Sequence, residues 1–128
     1  MDDRPWPTEI RLSADRASLT VVFDDGRQFG LSAEYLRVLS PSAEVQGHSP
    51  QERKTVPGKR DVRIMKVEPV GHYAVRLTFD DMHSTGIYSW DYLYRLGRDQ
   101  DALWGAYLQE LEAKGLSRES RGRPVARS

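Results

Sequence analysis

The chain has 128 residues, no cysteine, and nineteen basic residues balanced by nineteen acidic ones. That length suits one domain of roughly 100–150 residues with a real core, and the composition excludes disulfides and thiolate metal sites. Balanced charge gives no global pull toward nucleic acid or anionic lipid, and no apolar run approaches the roughly 20 residues of a membrane span. The opening Met1-Asp2-Asp3-Arg4-Pro5-Trp6-Pro7 lacks the basic and apolar regions of a signal peptide, so a cytoplasmic protein is expected.

The elements follow in chain order. Glu9-Ile10-Arg11-Leu12 alternates charged and aliphatic residues, as a half-buried strand does. Ala14-Asp15-Arg16-Ala17 turns into a strand at Leu19–Phe23. Asp24-Asp25-Gly26-Arg27 then predicts a tight type I′ hairpin turn, with Gln28–Leu31 as the return strand. Ser32 is an N-cap for a helix with Tyr35, Leu36 and Leu39 on one face. From Ser40 to Arg60 the pattern dissolves into breakers and basic residues, and such long loops are usually functional or disordered. Val62–Val70, Tyr73–Phe79 and Thr85–Tyr88 read as three more strands. Ser89 caps a helix carrying Trp90, Leu93, Tyr94 and Leu96, with Gly97 as its C-terminal stop. A last amphipathic helix runs from Asp99 or Gln100 to about Lys114, with Leu103, Trp104, Tyr107, Leu108 and Leu111 forming its apolar stripe.

An internal echo organises these elements. Phe23-Asp24-Asp25 recurs as Phe79-Asp80-Asp81, 56 positions on, and Gly30-Leu31 recurs as Gly86-Ile87 at the same separation. The expected fold is α+β: two antiparallel β-hairpin-helix units in a pseudo-repeat, plus a C-terminal amphipathic helix. Residues 1–6 form an N-terminal tail and 7–114 the domain, while the arginine-rich 115–128 is expected to be a disordered basic tail.

Chemistry is sparse. Paired aspartates can ligate Mg²⁺ or act as acid and base, but adjacent strand residues face opposite ways and Asp is favoured in turns. The turn reading is preferred for both pairs. A metal centre needs three or four convergent ligands, and only His48, His83 and carboxylates such as Glu44, Asp80 or Asp81 are placed to contribute. His72 reads as an exposed turn residue. Gly-x-Ser-x-Gly and phosphate-cradling glycine loops are absent. Arg53, Lys54, Lys59 and Arg60, with Arg11, Arg37 and the tail, can form an anion- or RNA-binding face. The loop lacks interleaved stacking aromatics, which favours a solvated loop over nucleic-acid binding.

Several segments in order resemble one known family. They are Pro7-Thr8-Glu9-Ile10-Arg11-Leu12-Ser13, Phe23-Asp24-Asp25-Gly26, the run from Leu36 through Ser40-Pro41-Ser42 to Gly47-His48, Val70-Gly71-His72-Tyr73, and Phe79–Trp90 with Leu93. The chain is similar over roughly residues 5 to 97 to the small bacterial DUF971 domain, also called the gamma-butyrobetaine hydroxylase-like N-terminal domain. The resemblance implies an α+β domain. In eukaryotic hydroxylases a similar domain precedes an iron and 2-oxoglutarate catalytic domain, and binds zinc through Cys-x-Cys-x-x-Cys plus a histidine. Here the matching positions are Ser40, Ser42 and Val45, with His83 at the histidine. Similar domains also occur fused to P-loop iron–sulfur carriers.

The expected function is therefore a non-catalytic cytoplasmic binding or accessory module for a protein partner, with no membrane or nucleic-acid role. Its binding surface is expected at Arg37, Ser40, Glu44, Gly47 and His48. The alternative is an iron- or zinc-binding accessory protein using His83 with His48 or a carboxylate, linked to iron–sulfur or 2-oxoglutarate oxygenase systems. An enzyme of the hydroxylase type is not expected, because no catalytic constellation is present.

Overall fold

The computed structural model describes residues 5–41, 55–81 and 85–119. Strands β1 (Pro7–Leu12), β2 (Ser18–Phe23) and β3 (Gln28–Ser32) form one antiparallel sheet in that order and lead into helix α1 (Ala33–Val38). Strands β4 (Ile64–Val70), β5 (Ala74–Phe79) and β6 (Thr85–Ser89) form a second, followed by α2 (Trp90–Arg98) and α3 (Gln100–Ala113). The architecture is the expected α+β pair of hairpin-helix units with a covering helix.

The two units match in detail. Each sheet carries a register break near the start of its first strand, between Pro7 and Glu9 in one and between Ile64 and Lys66 in the other. Each helix is capped alike: the Ser32 hydroxyl accepts from the Tyr35 amide at 3.0 Å, and the Ser89 hydroxyl from the Tyr92 amide at 3.1 Å. Buried residues alternate along the central strands as Leu19, Val21, Phe23 and Val75, Leu77, Phe79, the pleat of a one-sided sheet.

The constant separation expected through the hairpins does not hold. Val21 pairs with Phe29, whereas its counterpart Leu77 pairs with Gly86. The return strand is thus offset by 57 positions against 56 in the central strand, and the second hairpin turn is one residue longer. Gly86 takes the place of Phe29, Ile87 that of Gly30, and Tyr88 that of Leu31. Burial confirms the slip, since Leu31 and Tyr88 are fully buried while Ile87 is 43% exposed.

Two further local expectations are corrected. The first hairpin turn is not type I′: only Gly26 has positive φ (+91°), the Gly26 amide donates to the Phe23 carbonyl, and Phe23 pairs across to Arg27. That is a three-residue loop, a type I turn followed by a left-handed glycine. Gly97 does not stop a helix but lies inside α2, where any side chain would collide with the Phe29 ring.

Contacts between the units are reciprocal. Phe29 of the first packs on Gly97 of the second, and Gly86 of the second packs beside Ser40 of the first. The Tyr35 hydroxyl donates to the Leu96 carbonyl at 2.6 Å, and Tyr92, its counterpart, donates to the Leu39 carbonyl at the same distance. Helix α3 closes the core with Tyr107 and Leu111, and the Tyr107 hydroxyl holds the Val56 carbonyl at 2.6 Å.

The described part of the C-terminal tail, through Glu119, makes backbone contacts. The Gly58 amide donates to the Ser117 carbonyl at 2.9 Å and the Arg60 amide to the Arg118 carbonyl at 3.0 Å, so the arm through Glu119 lies against the 58–60 segment.

The glycines give a paired prediction. Gly97→Ala should cost on the order of 2 kcal/mol, because the Phe29 ring must give way. Gly105→Ala, in the middle of α3 with nothing within 4 Å, should instead add about 1 kcal/mol from helix propensity. Urea unfolding of both variants checks the opposite signs.

Candidate functional site

Helix α1 is buried along its whole length, including its two charged residues, Glu34 and Arg37. A short helix with no solvent-facing side must satisfy its terminal carbonyls internally. Two tyrosines do so: the Tyr88 hydroxyl donates to the Leu36 carbonyl at 2.5 Å, and Tyr92 serves Leu39. Burial pushes the Tyr88 hydroxyl far above the usual phenol range, with the Ser40 hydroxyl and Arg37 pulling weakly the other way, so it stays a donor.

Arg37 lies next to these tyrosines and is 5% exposed. Its Nε donates to Asp81 Oδ2 at 2.6 Å, and Lys59 Nζ reaches the same oxygen at 2.8 Å. Burial alone would raise the Asp81 carboxyl, but hydrogen bonds from Lys59 and Arg37, with their charges, outweigh it and hold the group below its ordinary value. Arg37 Nη1 and Asp81 Oδ1 are both buried without a hydrogen-bond partner. The cluster carries two cations and one carboxylate, with one donor and one acceptor unspent.

The repeat shows why this place is special. Asp24 and Asp80 bond outside their own turns, accepting from the Trp6 amide at 3.1 Å and the Arg63 amide at 3.0 Å and so tying each turn to the segment before its sheet's first strand. Asp25 accepts from the Arg27 amide within its own turn and, at 2.6 Å, from the Tyr94 hydroxyl on α2. Tyr94 is the counterpart of Arg37. Each hairpin's second aspartate therefore meets the same helical position of the opposite unit. In one half it is an exposed tyrosine–carboxylate bond; in the other it is a buried ion cluster. The expected bond to the aspartate's own turn is made by Asp25, while Asp24 and Asp80 bond distant amides and Asp81 meets Arg37 and Lys59.

The residues expected at a binding surface are distributed unevenly. Arg37 and Ser40 come together beside Asp81, Gly86 and Tyr88, but both are buried rather than on the surface. Glu44, Gly47, His48, Ser42, Val45 and His83 lie outside the described residues, as do Arg53 and Lys54. His72 is an exposed turn residue whose carbonyl accepts from the Trp90 indole at 2.8 Å. Among the described basic-loop residues Lys59 holds Asp81 and Arg60 holds Glu119. Sequence reasoning named Asp81 only as a turn residue or metal ligand and missed its pairing with Arg37 and Lys59, and it missed the buried pair of Glu34 with Arg118.

No group of three or more histidine, cysteine or carboxylate side chains able to hold a metal occurs among the described residues. The residues at the zinc positions of the resembled hydroxylase domain do not fit zinc. Ser40, Ser42 and Val45 offer two neutral hydroxyls and an aliphatic chain where thiolates are needed. Nor is any helix among the described residues long and apolar enough to cross a membrane.

An α+β domain of two reciprocal hairpin-helix units, with a buried ion cluster where they diverge, defines the class. Residues 10–94 match the family model described as gamma-butyrobetaine hydroxylase-like, N-terminal, and the chain belongs to that family. It is similar to two proteins solved in solution by NMR. One is 45% identical over 100% of this chain and 96% of that one, with a TM-score of 0.79; the other is 42% identical over 97% of each, with a TM-score of 0.77. A crystal structure of a DUF971-family protein of unknown function from Acidithiobacillus ferrooxidans ATCC 23270 is 42% identical, covering 71% of this chain and 91% of that one, with a TM-score of 0.59. No curated protein matches the chain.

Removing Asp81 leaves the buried Arg37 without a counter-ion. Asp81→Asn should therefore cost on the order of 3 kcal/mol, with Arg37→Met in the same chain recovering part of it. The lowered Asp81 value also fixes a pH dependence. Its stabilising contribution is fully present above the ordinary carboxylate value of 3.8 and fades as pH falls through the lower folded value. Denaturation midpoints of wild type and Asp81→Asn should accordingly converge on acidification below about pH 4.

Proposed function

We propose that the protein is a non-catalytic binding module whose recognition centre is the Arg37–Asp81–Lys59 cluster at the end of α1. One observation carries this reading: Arg37 Nη1 and Asp81 Oδ1, on the two members of one ion pair, are both buried without a hydrogen-bond partner. Each such orphan costs about 1–3 kcal/mol, and native proteins retain that cost chiefly where another group completes the set. An unspent donor and an unspent acceptor suit a group bearing both, such as a peptide amide, whose carbonyl would accept from Arg37 Nη1 and whose N–H would donate to Asp81 Oδ1. A protein partner is the occupant that offers this chemistry. The chain also runs from α1 toward Glu44, Gly47 and His48, and from Asp81 toward His83. We assign these four residues to the rim of the same surface.

The reading makes the chain an accessory rather than an enzyme. It belongs to a family described by likeness to the N-terminal part of a hydroxylase. Whatever chemistry the module serves is supplied by its partner.

Co-purification from the native cell tests the proposal. The tagged wild-type chain should recover one stoichiometric protein, and His48→Ala and Arg37→Lys should lose it while still unfolding cooperatively. Recovery of no partner, or equal recovery by all three chains, would contradict it.

A further inference from the structure

The opposite end of α1 carries a second buried charge that the recognition cluster does not use. Glu34 is 5% exposed, and both of its carboxylate oxygens are engaged by one guanidinium. Arg118 Nε donates to Oε2 at 2.8 Å and Nη2 to Oε1 at 2.7 Å, the parallel two-point pairing that only arginine makes. The same guanidinium lies over the Trp104 ring, 5.2 Å from its centroid. Beside it opens a cleft of about 460 Å³, whose lining includes Glu34, Tyr35, Asp101 and Trp104.

The manner of Arg118's arrival matters as much as its contacts. It comes on an arm that bends at Arg118 and Glu119 and whose carbonyls, at Ser117 and Arg118, accept from the backbone amides of Gly58 and Arg60. Main-chain bonds of this kind hold a segment regardless of its sequence, while a side-chain pocket selects it. Here the pocket is a buried carboxylate with an aromatic wall. Take Arg118 away and the cleft presents Glu34 and Asp101, two carboxylates with no compensating cation in its lining. A buried carboxylate stripped of its partner demands another cation. Arg118 itself keeps 35% of its side-chain surface open to solvent, so the place is reached from outside.

We propose that this cleft is an arginine-recognition site, filled in this chain by its own Arg118 and able to take an arginine-bearing segment of a partner protein. The cis arm is a built-in competitor. It holds the buried Glu34 neutralised until an incoming segment reproduces both the two-point pairing and the main-chain bonds to 58–60. The site is separate from the Arg37 cluster and stands whether or not that cluster binds a partner.

The test uses the full chain with Arg118→Ala, and a synthetic peptide of residues 115–121 supplied in trans, read by the NMR signal of the Trp104 indole N–H. The peptide should bind the Arg118→Ala chain saturably, and about tenfold tighter than it binds wild type, where the arm competes. Replacing the peptide's Arg118 by lysine should weaken binding about tenfold, since the two-point pairing is lost. Glu34→Gln in the same chain should abolish it. Equal affinity for the arginine and lysine peptides, or binding indifferent to Glu34→Gln, overturns the proposal. Should Arg118→Ala fail to fold, millimolar peptide added to wild type must shift the Trp104 signal by displacing the arm; an unchanged signal overturns the proposal as well.

Discussion

The constraint on which the structure depends is the burial of α1 on every side. Six residues of helix leave most of their terminal carbonyls without an internal partner, and this helix also brings a carboxylate and a guanidinium into the interior. Each of these groups needs a counterpart supplied from far along the chain. Tyr88 and Tyr92 come from the second unit for the carbonyls, Asp81 from the second hairpin for Arg37, and Arg118 from the C-terminal arm for Glu34. The fold can be read as the set of elements that answer those demands.

The answer is organised by reciprocity. Tyr35 and Tyr92 exchange hydrogen bonds with the end of the other's helix, and each return strand packs on the other unit's helix. Neither unit keeps its buried carbonyls satisfied without the other, which ties two short hairpin-helix pieces into one body. Against so regular a background, departures stand out. Phe29 becomes Gly86, Gly97 corresponds to Ser40, and Tyr94 corresponds to Arg37; all three differences meet near Asp81. Where one half has an exposed tyrosine–aspartate bond, the other has a buried ion cluster with an unspent donor and acceptor. That coincidence, rather than any catalytic signature, directs the functional reading to this end of α1.

Much of the architecture was legible because it rests on local rules. Strand alternation, serine caps and the doubled Phe-Asp-Asp placed the six strands and the first two helices in order. The errors came where a local rule met a tertiary demand. Matching glycine to glycine set Gly86 against Gly30, although the pleat puts Tyr88, not Ile87, on the buried face. Gly97 carried the mark of a helix stop, yet it is small because Phe29 lies on it. Asp81 resembled its turn-forming twin because nothing near it in sequence reveals Arg37, 44 positions away. The repeat held a usable clue: once Asp25 is aligned with Asp81, the facing helical positions are Tyr94 and Arg37. Arg118 gave no such signal, since an arginine in a polar tail has the composition of a disordered segment. Only the burial of Glu34 shows that it is claimed.

Native-state hydrogen exchange tests most directly whether the two units are one body held by these reciprocal bonds. The Val21 and Leu77 amides occupy equivalent places in the two central strands. They should exchange with the same opening free energy, and Tyr92→Phe, made in the second unit, should lower both equally. Different free energies in the wild-type chain, or a Tyr92→Phe effect confined to one sheet, would contradict the account.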